Sequence, residues 1–141
     1  MAKIFWDTNL FIYLFADHPE FGPRVQKVRR QMLARGDQLC TSSLTVGEIL
    51  VKPFEEGDTK LAEQYRRFFE NPVLTVIPFD LKAAALYPRV RQDRSISRPD
   101  AIQLACGAAA EVDLFVTNDS RLSGKVVPGI KFLVGLDRVP F

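Results

Sequence analysis

Four carboxylates in this chain stand where acids can do chemistry: Asp7 in Asp7-Thr8-Asn9, Glu48 three residues after Thr45, Asp100 in Ser97-Arg98-Pro99-Asp100, and Asp119 in Thr117-Asn118-Asp119-Ser120. Each also has a purely structural reading. Asp7 and Asp119 can cap the turns that follow them, Thr45 and Glu48 have the spacing of a capping box, and Asp100 suits the first turn of a helix. Asp100 is the least comfortable in that role. The helix behind it, Ala101-Ile102-Gln103-Leu104-Ala105-Cys106-Gly107-Ala108-Ala109-Ala110, has almost no polar face, so its mouth lies near low dielectric. Four carboxylates crowded at one edge repel, and a divalent cation relieves that repulsion. An all-oxygen donor set suits Mg²⁺ or Mn²⁺, which polarise a phosphoryl oxygen. Arg98, next to Pro99-Asp100, is the candidate donor to a substrate phosphate.

Competing chemistries are poorly supplied. The single histidine, His18, lies in an Asp17-His18-Pro19 turn far from Cys40 and Cys106, so no zinc pattern forms. The same histidine cannot serve as both acid and base of a metal-free ribonuclease. No glycine-rich turn follows the first strand, against a nucleotide-binding domain. A strand-end Asp also opens haloacid-dehalogenase-type phosphatases, but their second acid would fall where this chain has Asn9, and the matching lysine motif is missing.

The elements that must position these acids alternate from end to end. Strands are expected over 3–6, 38–42, 73–77, 114–117 and 130–134. Helices are expected over 9–16, 22–35, 44–56, 58–70, 80–93 and 99–111, with Pro53 bending or breaking its helix after Lys52 and Gly36 ending the second one. Such alternation implies an α/β fold with a parallel sheet covered on both faces, whose functional groups gather beyond the carboxyl ends of the strands. Asp7 and Asp119 sit at two such ends.

The 141 residues, 47% hydrophobic and 26% charged, fit one globular domain spanning 1–141. Two cysteines inside apolar stretches read as buried free thiols in a reducing compartment. The opening Met1-Ala2-Lys3-Ile4-Phe5-Trp6-Asp7 meets an acid before a signal-peptide core can form, so a cytoplasmic location is expected. The net charge of +2 conceals a basic body: without the four acids, 13 acidic residues face 19 basic ones, an excess that suits a polyanionic substrate.

Four segments together resemble the PIN-domain family, and in size and motif its VapC-like toxin ribonucleases: Phe5-Trp6-Asp7-Thr8-Asn9, Ser43-Leu44-Thr45-Val46-Gly47-Glu48-Ile49-Leu50, Pro99-Asp100-Ala101-Ile102-Gln103-Leu104-Ala105 and Phe115-Val116-Thr117-Asn118-Asp119. The resemblance covers essentially the whole chain. It implies a Rossmann-like three-layer α/β/α sandwich with a mainly parallel sheet, and a divalent-metal endoribonuclease hydrolysing RNA phosphodiesters. Asp7 and Asp100 become the principal metal ligands, Asp119 completes the cluster, Glu48 helps directly or through water, and Thr117 orients the last acid. The resemblance further implies a homodimer restrained by a small antitoxin, for which Phe11, Tyr13, Phe15, Phe54, Tyr65, Phe68 and Phe69 offer a surface. Asp119 stands where the toxins often carry Asn. Two other readings stay open: a PIN nuclease of RNA processing without an antitoxin, and a non-catalytic PIN module that binds RNA or protein.

Overall fold

The computed structural model describes all 141 residues. The elements run β1 (Lys3–Trp6), α1 (Thr8–Phe15), α2 (Phe21–Arg35), β2 (Gln38–Ser42), α3 (Ser43–Glu55), α4 (Thr59–Glu70), β3 (Leu74–Ile77), α5 (Leu81–Val90), α6 (Arg98–Ala109), β4 (Leu114–Thr117) and β5 (Phe132–Gly135), followed by a 3₁₀ turn at Leu136–Arg138. The five strands form one parallel sheet in the order β3-β2-β1-β4-β5.

Side-chain alternation along the strands divides the core into two layers. Ile4 and Trp6 of β1, with Leu114 and Val116 of β4, pack among Leu10, Phe11, Val25, Met32 and Phe69. Phe5 and Phe115 point to the other face, where their rings stack at 4.6 Å and Leu104, Cys106 and Ala83 cover them. The fold is therefore an α/β/α sandwich with α5 and α6 on one face. Cys40 and Cys106 are buried and unpaired, and burial pushes both thiols up to about 11.

Starting in the middle decides where a site can form. The chain winds outward through β2 and β3, then crosses back to place β4 on the other side of β1. The winding reverses between β1 and β4, so their carboxyl ends border a crevice at the switch point. The pairing Trp6↔Val116 sets Asp7 and Thr117 side by side just beyond it.

Two expectations need correction. α3 does not end at Lys52: it runs on to Glu55 with Pro53 inside it. A proline so near the end costs a single intrahelical bond, and Pro53 is buried, which offsets that loss. The last strand starts at Phe132 rather than 130, because Ile130 belongs to a turn closed on Val127. Gly36 does end α2, at φ 73°, with its N–H on the carbonyls of Met32 and Leu33.

Candidate active site

Asp7 is the residue after β1 and the cap of α1. Its Oδ1 accepts from the Thr8 N–H at 2.9 Å, and its Oδ2 accepts from the Thr117 hydroxyl at 2.7 Å. Burial pushes its carboxyl up to about 6 against the pull of those two donors, and the negative charges of Asp100 and Glu48 add to the rise. The capping reading of Asp7 is thus observed, and the same carboxylate also faces the other acids. The Thr117 hydroxyl donates to Asp7 rather than to the carboxylate of the last acid. Its oxygen also accepts from the Asp119 N–H at 3.0 Å, so one hydroxyl ties the two strand ends together.

Asp100 lies in the first turn of α6, half-buried, with its N–H donating to the Ser97 hydroxyl at 3.3 Å. Glu48 is exposed on α3. It makes no capping box, since α3 begins at Ser43 and Thr45 is already inside it; the Thr8 hydroxyl donates to Glu48 Oε1 at 2.7 Å instead. Asp119 follows β4 and is held by Arg121, whose Nε and Nη2 reach its two carboxylate oxygens at 3.0 and 2.8 Å. That bidentate pair keeps the Asp119 carboxyl below the usual carboxylate range. All four acids line one cleft of about 210 Å³, together with Asn9, Pro99 and Gln103.

Gln103 is the residue that motif reading passed over. It is 2% exposed on the apolar helix α6. Its Nε2 donates to the Thr45 hydroxyl at 2.7 Å and the Thr8 hydroxyl at 3.0 Å, while its Oε1 accepts from Ser42. Thr8 in turn holds Glu48, so a chain of neutral groups runs from α6 to the exposed acid. The available signal was one amide among alanines, since a buried amide needs partners. Arg98, by contrast, is exposed at the start of α6 and is not part of the cleft wall. The arginine at the site is Arg121, whose guanidinium also lies within electrostatic reach of Asp100.

As they stand, no three acidic, histidine or cysteine side chains are arranged to hold one ion. Asp119 is engaged by Arg121 and Glu48 by Thr8. The donor chemistry still fits Mg²⁺ or Mn²⁺, because Mg²⁺ binds through one or two carboxylates and keeps several waters. Asp7 and Asp100 would supply such a pair, and the raised Asp7 carboxyl is an acid without a cation of its own.

Two neighbouring surfaces complete the site. An apolar groove of about 320 Å³ between α1, α3 and α4 borders Glu48 and is lined by Ile12, Phe15, Ile49 and Tyr65. Among the aromatic residues considered as a partner surface, Phe11 and Phe69 are core residues, whereas Phe54 is 84% exposed.

The PIN domain family profile matches residues 4–126. No curated protein is significantly similar in sequence. Among solved structures, the chain is similar to VapBC2 from Rickettsia felis bound to a DNA fragment from its promoter, at 19% identity and a TM-score of 0.71, covering 94% of this chain and 98% of that one. It is also similar to a toxin–antitoxin complex from Klebsiella pneumoniae, at 23% identity and a TM-score of 0.66, covering 90% and 94%. A third similar structure is DNA-bound VapBC from Salmonella typhimurium, at 19% identity and a TM-score of 0.67, covering 96% and 99%. These likenesses concern the fold.

Proposed function

The chain belongs to the PIN domain family, and from that premise we propose that it is a divalent-metal-dependent endoribonuclease, the toxin of a toxin–antitoxin pair. The observation that carries the reading is the convergence of Asp7, Glu48, Asp100 and Asp119 on one cleft at the switch point of the sheet. Asp7 and Asp100 would hold Mg²⁺ or Mn²⁺, with Glu48 and Asp119 beside them. The bound ion supplies charge neutralisation and Lewis-acid polarisation of a phosphodiester. The chain's own groups prepare the place. Thr117 and the Thr8 N–H fix the Asp7 carboxylate, Gln103 and Thr8 fix Glu48, and Arg121 offers a planar guanidinium that can exchange Asp119 for a phosphate oxygen.

The antitoxin is assigned to the apolar groove between α1, α3 and α4, which borders Glu48 and so lets an occupant also shield the acids. A second copy of the chain is part of the same reading. The Arg121–Asp119 pair favours one rival, a non-catalytic RNA-binding module.

Cleavage separates the two. Purified protein should cut single-stranded RNA when Mg²⁺ or Mn²⁺ is supplied and stop in excess EDTA, and Asp100→Asn should be inactive. RNA left intact at every metal concentration establishes the binding module, and cleavage that persists in EDTA removes the carboxylate mechanism.

A further inference from the structure

A second cleft, of about 550 Å³, meets the acid cleft at Asp119, which lines both. Its walls come from three places: the start of α2, the turn after β4, and the chain after β5. Phe21 and Arg24 stand on the first, Asn118 and Ser123 on the second, and Asp137 and Arg138 on the third. A third hollow, of about 250 Å³, continues it, sharing Arg24 and Asp137 and adding Lys27. Shared walls place the three hollows in succession, a path from the four acids along the flank of α2.

The two hollows beyond the acid cleft are lined by cations. α2 carries Arg24, Lys27, Arg29, Arg30 and Arg35 and no acidic residue in its 15 positions. Arg24, Lys27 and Arg138 line the two hollows and are in no ion pair. Beyond the acid cleft these three cations face Asp137, while Asp119 at the junction is paired with Arg121.

The near end of the path also offers a flat apolar face. The half-buried ring of Phe21 stacks on His18 at 5.0 Å and lies 4.9 Å from Tyr13, whose hydroxyl accepts from Asn118 Nδ2 at 3.0 Å. His18 is fixed in turn, because its Nδ1 accepts from the N–H groups of Glu20 and Phe21 at 3.2 and 3.0 Å. The aromatic group is therefore held rigidly beside Asp119. Gly135 keeps the floor open: a Cβ there would meet Asp137 Oδ1 at 2.6 Å and Ser123 Oγ at 3.3 Å.

We propose that this path is the track for the single-stranded nucleic acid on one side of the scissile phosphate. Phe21 stacks the first base beyond the acids, and Arg24, Lys27 and Arg138 take the following phosphates. The chemistry is that of single-strand binding in general, a row of cations along the backbone with an aromatic face for a base. The track deepens the nuclease reading and rests on it for the position of the scissile phosphate.

The test measures binding by fluorescence anisotropy, in EDTA, to a labelled single-stranded RNA of about 12 nucleotides, long enough to cover one such track. Arg24→Gln, Lys27→Gln and Arg138→Gln combined should weaken binding about tenfold or more. They should also shrink the slope of log affinity against log salt by about 2, at ~0.7 per phosphate on a single strand. Lys82→Gln, Arg89→Gln and Arg94→Gln make the same charge change on and beside α5, on the other face of the sheet, and should leave the slope near its original value. Phe21→Leu keeps the packing of the turn and should cost about fivefold or more in affinity without altering the slope. Equal effects of the two triple variants, or an unchanged slope in the first, overturn the track. Cleavage with Mn²⁺ is scored separately. A wild type that binds through these three cations yet cuts nothing keeps the track and loses the nuclease reading, and one that cuts while the first triple variant binds normally loses the track alone.

Discussion

Asp7 carries two burdens, since it caps α1 from inside the core and faces the charges of Asp100 and Glu48. Its carboxyl, raised to about 6, binds a proton more tightly in the folded chain than in the unfolded one. The stability this provides is present at low pH and is lost as pH rises through the folded value. In EDTA, wild type should therefore lose roughly 2 kcal/mol relative to Asp7→Asn between about pH 4 and pH 7, measured by urea unfolding. A flat difference would show that the carboxyl is not raised. Arg121 acts on the same cleft with the opposite sign. Its guanidinium holds both oxygens of Asp119, so a cation must displace it or do without that acid. Arg121→Gln should bind Mn²⁺ several-fold more tightly by calorimetry, and weaker binding would mean that Arg121 orders the site rather than blocking it.

The elements meet through one buried amide. α6 packs apolar residues against the sheet except at Gln103, which bonds Ser42 at the end of β2, Thr45 on α3 and Thr8 on α1. These four elements fix the acid cleft, so the network sets the distance between the walls that carry Glu48 and Asp100. Gln103→Leu fills the same space but leaves buried hydroxyls without their partner. It should cost about 2 to 3 kcal/mol in thermal or denaturant unfolding, and metal-dependent cleavage should fall further than stability does. A variant as stable as wild type would mean that the hydroxyls satisfy one another.

At the scale of the molecule, the proposed function divides the work between a basic body that would hold a polyanion and an acidic crevice that would cut it. Removing metal leaves the acids to repel, so Mn²⁺ should stabilise the folded chain by mass action. The gain is about 2.7 kcal/mol at a hundredfold excess over its dissociation constant, read as a rise in melting temperature. Asp100→Asn should lose most of that rise while melting no lower than wild type in EDTA. The proposed second copy predicts a light-scattering mass near twice 15.9 kDa, and a mass equal to one chain removes the dimer from the reading. No helix is long and apolar enough to cross a membrane.

The sequence by itself determined the layers and the motif positions. Alternation of β-branched runs with amphipathic and apolar helices is a local property, and Gly36, Ser97 and Asp7 mark their helix ends by their own chemistry. The four acids were legible for the same reason, each lying next to a strand end or on a helix placed by its own periodicity. Tertiary structure decided what those acids do at rest. Whether Asp119 meets a cation depends on how a two-residue turn aims Arg121, and whether Glu48 is free depends on Thr8 from another helix. Neither partnership has a periodic signal. Pro53 shows the same division, because its helix-breaking tendency is local while the burial that offsets it is tertiary. The basic path along α2 was visible only as scattered arginines, because strand order and the return of the chain after β5 bring Arg138 beside Arg24. Long-range contacts choose among partners that local chemistry leaves equally possible.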